Sequence, residues 1–182
     1  MTVEPTDFQG LYVLTPRVFT DERGYFFEAF NARTFLSLGF DVSFVQDNQS
    51  YSTRGVLRGM HYQNAPYAQT KLVRVLSGVI WDVALDLRRD HPTFGKYFGV
   101  ELSSENKKQL LVPKGFAHGF ITLSDEAEVL YKCDVHHQPD VEGGIIFDDP
   151  AINIDWRLPQ EEFIISAKDQ RNLQLVDAKF SF

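Results

Sequence analysis

His61 stands in Arg58-Gly59-Met60-His61-Tyr62-Gln63, and His118 stands in Pro113-Lys114-Gly115-Phe116-Ala117-His118-Gly119. A metal site in a β-barrel would want His-x-His in the first frame, an acidic residue a few positions on, and a lone His in the second. Gln63 occupies the place of the second histidine, and no Asp or Glu follows before Lys71. Lys71 puts a cation where a metal needs an anion. A divalent ion wants about three protein ligands of suitable softness, and these frames offer two at best. The pattern reads as a metal-barrel scaffold turned to metal-free acid–base chemistry.

His61 can serve as a general base, because an imidazole titrates near neutrality. A carboxylate partner would orient the ring, and Asp169 in Lys168-Asp169-Gln170 is the candidate. Lys71 can offset negative charge developing on a substrate oxygen. Tyr131 can donate a proton from the opposite side. His118, after its Pro-x-Gly turn, can hydrogen-bond an oxyanion, with Asp82 as a supporting carboxylate. Each also has a purely structural reading: a loop histidine, a snorkelling lysine, a core tyrosine, a turn histidine, a buried structural carboxylate. Arg23, Arg54, Arg58, Lys71 and Arg74 form an excess of cations expected near the pocket, and Arg forks suit phosphate oxygens. No Gly-rich phosphate loop and no G-x-S-x-G elbow occurs.

Short strands must position these groups. Leu11–Leu14 reads as a strand, Asp21–Gly24 as a turn, and Tyr25–Phe30 as a second strand. Asn31 can cap a short helix over Ala32–Leu38, closed by Gly39. Lys71–Leu76, the Ser77-Gly78 turn and Val79–Leu87 read as a hairpin. Further strands are expected at Tyr97–Leu102, Gln109–Val112, His118–Thr122, Glu128–Cys133 and Ile145–Phe147. Many short strands with Gly, Pro and Asp punctuation indicate an all-β antiparallel sandwich or jelly roll with one or few short helices. Period two puts Lys71 with Val73 and Val75, Asp82 with Ile80 and Ala84, and Tyr131 with Val129 and Cys133. Polar side chains on core-facing sides cost free energy unless satisfied. Several of them from different strands suggest a polar pocket inside the barrel.

The 182 residues suffice for one domain over 1–182 with a full core. The formal net charge of −7 argues against broad nucleic-acid binding, yet allows a phosphorylated small molecule on a local arginine cluster. One cysteine, Cys133, excludes an internal disulfide and fits a reducing compartment. No basic-then-apolar leader and no long apolar run is visible, so a cytoplasmic protein without membrane attachment is expected.

Ordered runs go further than spacing. Asp21-x-Arg23-Gly24-x-Phe26-x-Glu28, Gln46-Asp47-Asn48-x-Ser50, the His61 frame, Lys71-Leu72-Val73-Arg74-Val75, Asp82-Val83-Ala84-x-Asp86-Leu87-Arg88 and the His118 frame resemble the dTDP-4-dehydrorhamnose 3,5-epimerase family. Tyr131-Lys132, Glu142-x-Gly144-Ile145, Asp148-Asp149-Pro150 and Ser166-x-Lys168-Asp169 extend the likeness from about Gly10 to Asp169. The resemblance implies a cupin jelly roll, a homodimer, no metal or other cofactor, and a 4-keto-6-deoxyhexose carried on dTDP. It implies that His61 is the base, Asp169 its orienting partner, Tyr131 the acid on the other face, and Lys71 with His118 the stabilisers of an enolate at O4. Arg23, Phe26, Glu28, Gln46, Asn48, Arg58, Glu142 and Lys168 would hold the nucleotide and its phosphates. His137 departs from the family pattern, standing where relatives place a tyrosine that stacks on thymine. An imidazole stacks with less area, which bears on base preference. Relatives that invert only C3 or only C5 carry much the same residues. Two rivals stand beside the epimerase: a metal-dependent cupin enzyme, disfavoured by Gln63, and a nucleotide-sugar binding module without catalysis.

Overall fold

Alternating burial turns most of the chain into antiparallel strands. The computed structural model describes residues 1–182. In chain order they are β1 (Thr2–Pro5), β2 (Tyr12–Thr15), β3 (Val18–Asp21), β4 (Gly24–Phe27), α1 (Ala32–Ser37), β5 (Gln46–Thr53), β6 (Val56–Gln63) and β7 (Lys71–Ser77). Then follow β8 (Val79–Asp86), β9 (Tyr97–Ser103), β10 (Gln109–Val112), β11 (Phe116–Thr122), β12 (Glu126–Cys133), β13 (Glu142–Gly144) and β14 (Ile164–Ile165). One sheet runs β1-β2-β10-β7-β12-β5, and the other β13-β6-β11-β8-β9 with β14 laid parallel on β6. The fold is a cupin-type jelly roll. The β3–β4 hairpin joins neither sheet.

Three apolar clusters hold the layers. Between the sheets lie Leu11, Val13, Val73, Val75, Ile80, Ala84, Phe116, Phe120 and Val129. The outer face of the first sheet carries Leu14, Leu72 and Leu111, covered by Phe35 of α1 and by Phe30, Phe40 and Phe44. Phe35 is wholly buried; its truncation to alanine would cost about 3–5 kcal/mol. The outer face of the second sheet carries Leu57, Met60, Val83, Leu85 and Ile121, covered by Ile145, Phe147, Ile152 and Trp156 of the C-terminal coil. Phe180 and Phe182 end that coil edge-on against Tyr62, with centroids at 6.2 and 6.3 Å. No helix is long and apolar enough to cross a membrane.

The helix starts where expected: Asn31 Oδ1 accepts the N–H groups of Arg33 (2.9 Å) and Thr34 (3.3 Å). It ends one residue early, with Leu38 as the C-cap. The strand expected at Tyr25–Phe30 stops at Phe27. Ile145–Phe147 is not a strand. Ladder pairing with β6 is made by Glu142–Gly144, while Ile145 forms an isolated bridge to Leu173 and, with Phe147, is buried by packing. β5 and β6, consecutive in the chain but in different sheets, carry much of the site, and the sequence pattern does not mark them as strands.

Candidate active site

A local irregularity aims His61 into the cavity. His118 pairs with His61, while Phe120 pairs with Arg58, so β6 carries one residue more than β11 across this stretch. That bulge lets Arg58 and His61, three positions apart, both line the cavity between the sheets. Gly59 makes it possible: its φ is +132°, and a Cβ there would stand 2.5 Å from Gly119 Cα. Only glycine tolerates both demands.

Asp169 arrives from far along the chain. β14 runs parallel beside β6, and the segment after it delivers Asp169 at the head of a 3₁₀ turn, Asp169–Arg171. Asp169 Oδ1 lies 2.7 Å from His61 Nε2, and Oδ2 accepts the Gly59 N–H at 3.3 Å. The Asp169 N–H donates to Ser166 Oγ at 3.1 Å. Burial pushes the Asp169 carboxyl up, but the His61 hydrogen bond and charge, with the Gly59 N–H, outweigh it and hold it below the usual carboxylate range. An ionised carboxylate accepts from Nε2–H and leaves the Nδ1 lone pair as the basic site.

His61 stands on the second sheet; Lys71 and Tyr131 stand on the first, on adjacent strands β7 and β12. All three border both parts of one cleft. The inner chamber, about 470 Å³, is lined by Ser50, Arg58, His61, Lys71, His118, Tyr131, Lys168 and Asp169 among others. The adjoining chamber, about 280 Å³, adds Gln46, Asn48, His137 and Glu142. Lys71 Nζ is 6.0 Å from the Tyr131 ring centroid. Burial pushes the Lys71 ammonium below the ordinary lysine range, partly offset by Cys133, Asp82 and Glu142. Burial, reinforced by Cys133, raises the Tyr131 phenol against the pull of Arg58. The phenol therefore keeps its proton at neutral pH.

A second imidazole–carboxylate pair sits beside the first. His118 Nε2 lies 2.8 Å from Asp82 Oδ1, and the carboxylate is wholly buried. In the outer chamber Gln46 Oε1 accepts the His137 N–H (2.9 Å), and Gln46 Nε2 donates to Asn48 Oδ1 (2.9 Å). Glu142 bonds Lys168 Nζ at 2.7 Å and stands 3.5 Å from His137 Nε2. Burial raises the Glu142 carboxyl, but Lys168 outweighs it and keeps the group ionised.

Gln63 holds the loop beside the outer chamber. Its amide donates to Tyr67 O (2.8 Å) and its carbonyl accepts the Gln138 N–H (2.8 Å). No group of three or more His, Cys, Asp or Glu side chains is arranged to hold a metal ion.

Several expected residues lie elsewhere in the single chain. Arg23 and Phe26 are on the exposed β3–β4 hairpin, with Arg23 paired to Asp21 at 2.6 Å. Glu28 accepts from Asn31 Nδ2 (2.8 Å) and Thr34 Oγ1 (3.3 Å) at the start of α1. The expected cluster of five cations at the pocket does not form: Arg58 and Lys71 line it, and the others do not. Arg74 falls on the opposite face of β7 from Lys71 and lies over the Phe27 ring (5.7 Å). Arg54 pairs with Glu162 at 2.9 Å. Sequence reading named His61 but missed the Gly59 N–H and Ser166 as supports of its partner. A glycine inside a strand was the available signal.

Residues 5–177 match the family described as dTDP-4-dehydrorhamnose 3,5-epimerase. A relative of that name from Shigella flexneri is 50% identical over 181 residues, covering 99% of each chain. The crystal structure of dTDP-4-dehydrorhamnose 3,5-epimerase from Elizabethkingia anophelis is 48% identical, covers 97% of both chains and superposes with a TM-score of 0.93. The dTDP-6-deoxy-D-glucose-3,5-epimerase of Legionella pneumophila, solved with dTDP-4-keto-L-rhamnose, is 45% identical, covers 97% of this chain and 93% of its own, and also gives 0.93.

Proposed function

The chain belongs to the dTDP-4-dehydrorhamnose 3,5-epimerase family, and from that premise we propose that it converts dTDP-4-dehydro-6-deoxy-D-glucose to dTDP-4-dehydro-L-rhamnose by inverting C3 and C5. The observation that carries this reading is the His61–Asp169 pair at 2.7 Å, with Lys71 and Tyr131 on the same cleft but from the opposite sheet.

The chemistry follows from the residues. The C4 ketone acidifies the protons on both neighbouring carbons. His61 removes one, and the C–H electron pair moves into the ring as the ketone oxygen takes up negative charge. The Lys71 ammonium and His118 stabilise that enolate oxygen; a preorganised donor of this kind is worth about 10²–10³-fold in rate. Tyr131, kept protonated by burial, returns a proton from the other face, and the centre inverts. Solvent then takes the proton from the imidazolium and returns one to the phenolate, and the same steps repeat at the second carbon. Base and acid must come from opposite walls, a requirement that their placement on different sheets satisfies. Arg58 and Lys168 hold the diphosphate, while Gln46, Asn48, His137 and Glu142 surround the nucleoside.

A homodimer in the cytoplasm belongs to this proposal, and the hairpin supports the dimer. Phe19 and Phe26 pair across β3 and β4 and are 51% and 71% exposed. A hairpin that joins neither sheet, with an apolar face and an exposed arginine, suits insertion into a second copy. Arg23 and Phe26 then complete the partner's nucleotide chamber, and Glu28 follows at the hairpin's base.

Incubation of the protein with dTDP-4-keto-6-deoxyglucose in heavy water tests the activity. Deuterium is expected at both C3 and C5 of an L-configured product. Absence of label at both carbons removes the epimerase reading. Label at one carbon alone restricts it to a single-site epimerase.

A further inference from the structure

Ser50 has a hydroxyl with nothing to bond. Its Oγ is buried without a hydrogen-bond partner. Five other side chains carry a buried unpartnered polar atom: Thr15, Trp81, Asp82, Gln109 and Thr122. None of those five lines the catalytic cleft; Ser50 does. A buried hydroxyl left unpaired costs about 1–3 kcal/mol, and native sites retain such groups where a ligand completes them.

Its neighbours define what completes it. β5 presents Gln46, Asn48, Ser50 and Ser52 on one face. Gln46 and Asn48 line the outer chamber and Ser50 the inner one. Ser52 Oγ is already used, accepting from Arg58 Nε at 3.0 Å, and Arg58 Nη2 donates to Tyr51 O at 3.1 Å. Those two bonds tie the guanidinium of Arg58, on β6, across to β5 of the other sheet, leaving Nη1 without a protein partner. Ser50 therefore lies on the strand between the nucleoside-contacting pair and the residue that anchors Arg58. A free hydroxyl there needs an acceptor oxygen from the ligand.

We propose that Ser50 is a substrate-positioning residue whose hydroxyl donates to a diphosphate oxygen held by Arg58. The inference rests on the nucleotide-sugar reading above and adds a contact to it. A hydroxyl bonded to an ionised oxygen contributes more than a neutral pair. Because the diphosphate does not change during proton transfer, the contact is made equally in ground and transition states. Its loss therefore raises KM and spares kcat.

Ser50→Ala is tested beside wild type and Ser50→Thr, with steady-state kinetics, calorimetric binding of dTDP and of thymidine, and thermal melting. The expected result is a KM and a dTDP Kd each raised about 10-fold, kcat within about twofold, and thymidine binding and melting unchanged. Ser50→Thr, which keeps the hydroxyl, should restore dTDP binding. Unchanged dTDP affinity in Ser50→Ala overturns the proposal. So does equal weakening of dTDP and thymidine, which marks a structural role. A wild type that binds dTDP but turns over no keto sugar defeats the epimerase reading alone, and the dTDP arm still decides on Ser50.

Discussion

The proposed division of labour, with His61 as base and Tyr131 as acid, makes their substitutions separable. His61→Ala should abolish solvent exchange at both C3 and C5 with unchanged circular dichroism, because His61 is the imidazole that Asp169 orients in the cleft. Exchange persisting near wild-type rates would contradict this. Tyr131→Phe should retain part of the exchange while inversion falls by about 10²-fold, read by NMR of the recovered sugar. Lys71 carries a different signature, because burial lowers its pKa. Between that lowered folded value and the ordinary lysine value of about 10.4, the unfolded chain holds more protons than the folded one. Stability therefore rises as pH climbs through that window. Lys71→Met should remove this upward contribution to the slope, raise the neutral-pH melting temperature and cut kcat by about 10²-fold or more. Urea unfolding at several pH values checks the first two and turnover the third. The same slope in Lys71→Met as in wild type would mean that the ammonium is not desolvated.

At the scale of elements, the bulge in β6 does the aiming. Gly59→Ala should cost about 3 kcal/mol or more in urea unfolding and lose most activity, since the added methyl meets the backbone of β11. A fully active, stable variant would show that the bulge can relax. The same elements show what the sequence could reveal. Lys71, Val73 and Val75 alternate cleanly with Leu72 and Arg74, so β7 and its inward lysine were legible. The helix was legible from Asn31. β5 was not: Gln46-Asp47-Asn48-Gln49-Ser50 has poor strand propensity. It is a strand because β12 pairs with it along its full length, from Thr53–Glu126 to Gln46–Cys133, and its polar inner face lines the cleft. The helper role of Asp82 was left open by its spacing, because only the register of β8 against β11 brings it to His118. Family resemblance, rather than pattern, supplied most of the residue roles.

For the whole molecule, the hairpin makes a prediction about shared sites. If one copy lends Arg23 and Phe26 to another, mixed dimers of His61→Ala with Arg23→Ala chains contain one intact cleft. Random 1:1 pairing makes half the dimers mixed, with one good cleft of two. Co-expressed chains should thus recover about a quarter of wild-type activity, measured against each variant alone. No recovery in proven mixed dimers would show that each chain serves its own cleft.

His61 and its carboxylate are separated by 108 positions in the chain, and the carboxylate belongs to the last tenth. During synthesis both main sheets can be laid down while the imidazole still has nothing to set its tautomer. A nascent barrel released before β14 would carry the base, the phenol and the ammonium, yet remain inert. Competence waits for the segment after β14, which must reach back to β6 before the imidazole is set.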